Sequence, residues 1–172
     1  MANQVFLVGY MGAGKTSVAR SLSVRSGQPM IDLDEELERR EGCSISALFH
    51  QEGESVFRSK ERALLCEVAG NGDFPIVSCG GGITSDEQNI VTMKAHGLVV
   101  WIDTPFETIV ERLRVNPGGR PLLASMGQPL NKERLRAHYD LRRKTYAECD
   151  ERVSDLDERE LDALARRLNR EA

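Results

Sequence analysis

The octapeptide Gly9-Tyr10-Met11-Gly12-Ala13-Gly14-Lys15-Thr16 fits the spacing G-x-x-x-x-G-K-[ST]. Its chemistry is phosphate binding. Glycines let successive backbone N–H groups turn inward around an anion, and the start of a helix adds the positive end of its dipole. Lys15 can reach the β- and γ-phosphates, and Thr16 can ligate Mg²⁺. Gly12, Ala13, Gly14, Lys15, Thr16 and Ser17 are therefore the expected contacts to a nucleoside triphosphate.

Further along, Asp32-Leu33-Asp34 closes a short apolar run. In extended chain the two carboxylates share one side, at the strand end where ligands bind in parallel sheets. One acid can hold Mg²⁺ through its water shell while the other accepts a hydrogen bond from a substrate hydroxyl and takes its proton. The competing role for Asp34 is capping the helix that follows. Arg58 and Glu61 stand at i and i+3, where a carboxylate can hold a guanidinium in place. In Ser78-Cys79-Gly80-Gly81-Gly82, three glycines remove every side chain where backbone must approach a ligand. Arg120-Pro121-Leu122-Leu123 can bring a guanidinium onto a transferring phosphate as an arginine finger in cis. Arg142 and Tyr146 share one helical face. Asp103, after the apolar run 99–102, reads either as a Walker B acid or as a cap for the helix that Pro105 opens. Asn131-Lys132-Glu133-Arg134 lacks the aspartate of a guanine-reading N-K-x-D, which argues against a GTPase.

The elements that must position these residues alternate. Strand-like runs at 4–8, 30–33, 75–78, 98–102 and 152–154 are separated by helical patterns over 14–26, 34–41, 44–49, 54–69, 86–96, 105 onward and 132–148, with an amphipathic helix over 157–169. Such alternation predicts a parallel sheet with helices on both faces. Residues 115–129 lose periodicity and collect glycine and proline, as in a lid or binding loop.

At 172 residues the chain is the size of one domain, and 23 basic against 27 acidic residues give a net charge of −4. That balance argues against a general affinity for nucleic acid or anionic membrane. The absence of an 18-residue apolar run or an N-terminal secretory pattern predicts a cytoplasmic protein. Cys43, Cys66, Cys79 and Cys149 lack metal or disulfide spacing, so reduced thiols are expected. Lysine occurs only five times among the 23 basic residues, leaving an arginine excess that is mostly compositional.

Taken in order, the phosphate loop, Asp32-x-Asp34, the G-E-x-x-F-R-x-x-E run from Gly53 to Glu61, Gly80-Gly81-Gly82, Arg120-Pro-Leu-Leu and the R-x-x-x-Y pair Arg142/Tyr146 resemble shikimate kinase from Val5 to about Val153. The resemblance implies a P-loop NTPase of the nucleoside monophosphate kinase type, an α/β three-layer fold. It has a five-stranded parallel sheet in order 2-3-1-4-5 and a mobile lid. It implies one domain over 1–172, with a substrate-binding region at about 33–62 and a lid at about 112–128. The reaction implied is transfer of the γ-phosphoryl group of ATP, with Mg²⁺, to the 3-hydroxyl of shikimate, in chorismate and aromatic amino-acid biosynthesis. Lys15, Asp34 and Arg120 would be catalytic, and Arg112 and Arg120 would join the loop in binding ATP. Asp34, Phe49, Phe57, Arg58, Glu61, Gly80, Gly81, Gly82 and Arg142 would bind shikimate, with Ile45 also matching an apolar pocket position. Thr16 and Asp32 would serve the metal. Family members often read R-x-P-L-Y where this chain has Arg142-Arg143-Lys144-Thr145-Tyr146, and Arg142 is the arginine expected to face the pocket. A monomer is expected. A gluconate or nucleoside monophosphate kinase shares the phosphate loop and sheet but does not call for Arg58, the glycine triplet and Arg142 together. A nucleotide-binding regulator without turnover would lack a catalytic residue.

Overall fold

Strand β1 (Gln4–Val8) is buried at all five positions, as a central parallel strand covered on both faces requires. It pairs in parallel with β3 (Ile76–Ser78) on one side and β4 (Gly97–Ile102) on the other. The edges are β2 (Met30–Asp32) and β5 (Glu151–Val153), giving the expected order β2-β3-β1-β4-β5. The computed structural model describes residues 4–116, 123, 131–154 and 157–170.

The pleat of β1 divides the core. Phe6 and Val8 face one layer with Val77, Val99 and Trp101; Val5 and Leu7 face the other with Ile76, Val100 and Ile102. The second layer is closed by α1 (Lys15–Ser26) and α7 (Glu158–Arg170), whose Leu161, Leu164 and Leu168 meet Val18 and Leu22. The leucine stripe of the last helix is thus core. The first layer is covered by α3 (Ile45–Asn71), α4 (Glu87–His96), α5 (Phe106–Val115) and α6 (Lys132–Tyr146), with α2 (Leu33–Glu41) packed on α3. A 3₁₀ turn, Ile83–Ser85, follows the glycine triplet.

Two local features set where the helices around the strand ends begin. Gly53 interrupts α3 with φ 84° and ψ 169°, outside helical geometry, so the segment is two helices across a kink, as the separate patterns at 44–49 and 54–69 predict. Asn131 caps α6 by accepting from the Arg134 N–H, which is the role of the partial N-K-x-D match.

Asp103 follows neither sequence reading. Pro105, not Asp103, holds the N-cap position of α5. The buried Asp103 carboxylate instead accepts from Arg143 Nη2 at 3.0 Å and Arg152 Nε at 2.7 Å. Both guanidiniums also lie over Trp101, at 5.2 and 5.0 Å from the ring centroid. A buried carboxylate is retained where cations compensate it, and here it ties β4 to β5 and α6. Arg143 is thereby committed to Asp103 at the end of β4.

Candidate active site

A cavity of about 1060 Å³ opens over the carboxyl ends of β1, β2 and β3. At one end the loop between β1 and α1 wraps inward. Gly14, at φ 96°, takes a left-handed conformation at the helix start that an L side chain strains to adopt. Lys15 Nζ arches back over the loop, donating to the carbonyls of Gly9 at 2.9 Å and Tyr10 at 3.1 Å. Arg112, from α5, donates to the carbonyls of Gly12 and Ala13, both at 3.0 Å, bracing the loop. Gly12, Gly14, Lys15, Thr16, Ser17 and Arg112 line the cavity. Ala13 stands behind it: its methyl is buried in the second core layer and its N–H closes a turn onto Tyr10 O.

Next to the loop, Thr16 Oγ1 donates to Asp32 Oδ2 at 2.6 Å, and Ser78 Oγ donates to the same oxygen at 2.7 Å. Asp32 Oδ1 accepts from the Asp34 and Glu35 backbone N–H groups. This corrects the strand reading of Asp32-x-Asp34. The strand ends at Asp32, which is itself the N-cap, and Asp34 belongs to the first turn of α2. An aspartate at the strand end outcompetes further extension because its side chain satisfies two orphan helix donors at once. Both carboxylates still line the cavity.

The far end is built for a polar, anionic ligand. Burial pushes the Asp34 carboxyl up to about 6, helped by Glu61 and Asp32 and opposed by Lys15 and Arg58. Burial likewise pushes Glu61 above the usual carboxylate range, against the pull of Arg58. Glu61 is 2% exposed and holds Arg58 Nη1 at 2.7 Å, while its other oxygen, Oε1, has no hydrogen-bond partner among the described residues. The glycine triplet fits between these groups. A Cβ on Gly80 would fall 2.5 Å from Glu61 and 2.9 Å from Asp34, and one on Gly82 would fall 2.5 Å from Arg58. A Cβ on Gly81 would press on the Met11 backbone nitrogen at 3.2 Å. Tyr146 secures the turn from α6, donating to Gly81 O at 2.6 Å. Phe49 and Phe57 stack with centroids 4.6 Å apart on one wall, beside Ile45. Arg142 enters from α6.

The sequence matches the family model described as "Shikimate kinase" over residues 11–171. The chain belongs to the shikimate kinase family. A shikimate kinase of Persephonella marina is 37% identical over 150 residues, covering 87% of each chain. A solved shikimate kinase from Acinetobacter baumannii in complex with shikimate superposes with a TM-score of 0.83 at 31% identity, covering 98% of this chain and 91% of that one. A gluconokinase from Sinorhizobium meliloti, at 14% identity and TM-score 0.52, shares the fold.

In this shikimate kinase family member, one cavity gathers every sequence-predicted site residue except Ala13, behind the loop, and Arg120. Arg120 lies outside the described residues, as does most of the stretch expected to form the lid. Of the two arginines in Arg142-Arg143, Arg142 lines the cavity. Three groups escaped the sequence reading. Ser78 shares the Asp32 oxygen with Thr16, and its place directly before the glycine triplet at a strand end was the available signal. Tyr10 lies inside the phosphate loop, at a position the spacing leaves open, and His138 stands one helical turn before Arg142.

Proposed function

We propose that the chain transfers the γ-phosphoryl group of ATP to the 3-hydroxyl of shikimate, giving shikimate 3-phosphate and ADP on the route to chorismate and aromatic amino acids. The observation that carries this reading is the wall opposite the phosphate loop. There Arg58 and Arg142 can meet one carboxylate while Asp34 and the glycine turn meet hydroxyls. Two guanidiniums suit a planar carboxylate. The gluconate and nucleoside monophosphate alternatives do not require that set.

The phosphate loop and Lys15 hold the β- and γ-phosphates in line with the acceptor hydroxyl, and Arg112 keeps the loop from opening. Asp34 Oδ accepts the hydroxyl proton as the O–P bond forms; the raised affinity of this carboxyl suits it to hold that proton. Lys15 neutralises charge on the γ-phosphoryl oxygens, and Arg120, on a lid over about 112–128, adds a second cation. Among the described residues no cluster of three or more His, Cys, Asp or Glu could hold a metal alone. Thr16 and Asp32 offer two adjacent hard oxygens, which fits Mg²⁺, an ion that keeps waters and phosphate oxygens as most of its ligands. Held by Thr16 and Asp32, Mg²⁺ would supply positive charge to screen the phosphates.

Residues 1–172 act in this reading as one domain, with the acceptor held by about 33–62, and as a monomer in the cytoplasm without nucleic-acid or membrane partners. The net charge of −4 supports this, and no described helix is long and apolar enough to cross a membrane.

The test is a coupled ADP-release assay with Mg²⁺ across shikimate, gluconate and AMP. Shikimate alone should raise turnover well above background, and turnover with gluconate or AMP instead would overturn the reading. Arg58→Ala should raise the KM for shikimate roughly 10–100-fold, the range for losing hydrogen bonds to a charged group, with the KM for ATP nearly unchanged. An equal rise in both constants would make Arg58 structural.

A further inference from the structure

His138 is half-buried on α6 and lines the cavity. Its Nδ1 lies 2.7 Å from Tyr10 Oη, and its Nε2 lies 3.4 Å from Arg142 Nε. The donors assign the tautomer. Arginine Nε carries a hydrogen and no lone pair, so it donates, and His138 Nε2 accepts. The ring proton therefore sits on Nδ1 and is donated to Tyr10 Oη. Tyr10 is a firm anchor, 2% exposed and edge-on to Tyr139 with centroids 5.3 Å apart. Burial and the neighbouring Arg142 charge both hold the imidazole below its ordinary range, in its neutral, accepting form.

The two arginines at the acceptor end of the cavity, Arg58 and Arg142, are held differently. Arg58 is fixed by the Glu61 and Glu54 carboxylates. Arg142 forms no ion pair among the described residues, and its Nε donates to His138. A free arginine side chain samples many rotamers, an entropy that a ligand must overcome unless the fork is oriented beforehand. An acceptor at Nε does this while leaving both terminal nitrogens for a carboxylate.

We propose that His138, anchored by the Tyr10 hydroxyl of the phosphate loop, is a positioning residue that orients the Arg142 guanidinium toward the carboxylate of the acceptor. The inference rests on the reading that the acceptor carboxylate meets Arg142. It makes one imidazole the mechanical link between the phosphate loop and the acceptor site, 128 residues apart in sequence.

Steady-state kinetics on the full chain test it, with shikimate and ATP varied separately. His138→Leu removes both hydrogen bonds at similar bulk and should raise the KM for shikimate about tenfold, with kcat and the KM for ATP within about twofold. His138→Gln can present an amide oxygen to Arg142 Nε and should bring the shikimate KM back to within about threefold of the parent. Tyr10→Phe deletes a single oxygen and should raise that KM by about threefold, so a folding failure at position 138 does not remove the test. The proposal is overturned by an unchanged shikimate KM in His138→Leu or in Tyr10→Phe. It is equally overturned by equal rises in both KM values, or by a folded His138→Gln no better than His138→Leu. Absence of shikimate-dependent ADP release by the unsubstituted enzyme would sink the acceptor reading itself, and this inference with it, and is seen before any variant is made.

Discussion

Asp34→Asn is expected to lose about 10²- to 10⁴-fold in turnover while melting at a higher temperature than the parent. Both effects come from one carboxyl. As the base it must be ionised, and folding raises it from its ordinary 3.8 to about 6. The folded protein thus binds this proton more tightly than the unfolded chain does. The resulting penalty on the charged form is absent below about pH 4, grows as pH rises toward 6 and is constant above. At neutral pH its removal should stabilise the fold by on the order of 2–3 kcal/mol, or roughly 4–12 °C in Tm for a chain of this size. For the parent, kcat/KM for shikimate should fall as pH drops through about 6. A pH–rate profile and a melting curve check both sides. A fall centred near pH 4, or a less stable Asp34→Asn, would refute the assignment.

Lys15→Ala should reduce kcat by about 10³-fold or more, because a cation aimed at transferring phosphoryl oxygens acts where water is excluded and no substitute charge can reorganise into place. The Lys15 ammonium is already held over the loop by the Gly9 and Tyr10 carbonyls. Little rearrangement separates that position from one facing a γ-phosphate. Single-turnover measurements at saturating ATP separate the chemical step from weakened binding. Turnover within tenfold of the parent would mean that Lys15 serves only to shape the loop.

The features legible in the sequence are those whose geometry is local. The phosphate loop could be read because glycine spacing, a preceding strand and a following helix occupy one short stretch, and the Gly53 kink because a glycine interrupts a helical pattern. The spatial order of the strands came through resemblance, since periodicity says which segments are strands and nothing about which are neighbours. Asp103 was misread because its partners, Arg143 and Arg152, lie 40 and 49 residues away. Asp32-x-Asp34 reads as extended chain because alternation over three residues cannot be told from the first turn of a helix capped by Asp32. His138 stayed silent for the same reason as Asp103, because its significance depends on Tyr10 across the fold.

The close approach of Gly81 to the Met11 nitrogen bears on how such a site can change its acceptor. Where the glycine turn meets the phosphate loop, the cavity wall is backbone against backbone, and Gly81 has no side chain to exchange. Mutation at that wall shifts the phosphate loop before it alters what the acceptor compartment recognises. Drift toward a new acceptor must therefore run through α3, whose side chains form the opposite wall, because α6 is tied to the phosphate loop through His138 and to the glycine turn through Tyr146.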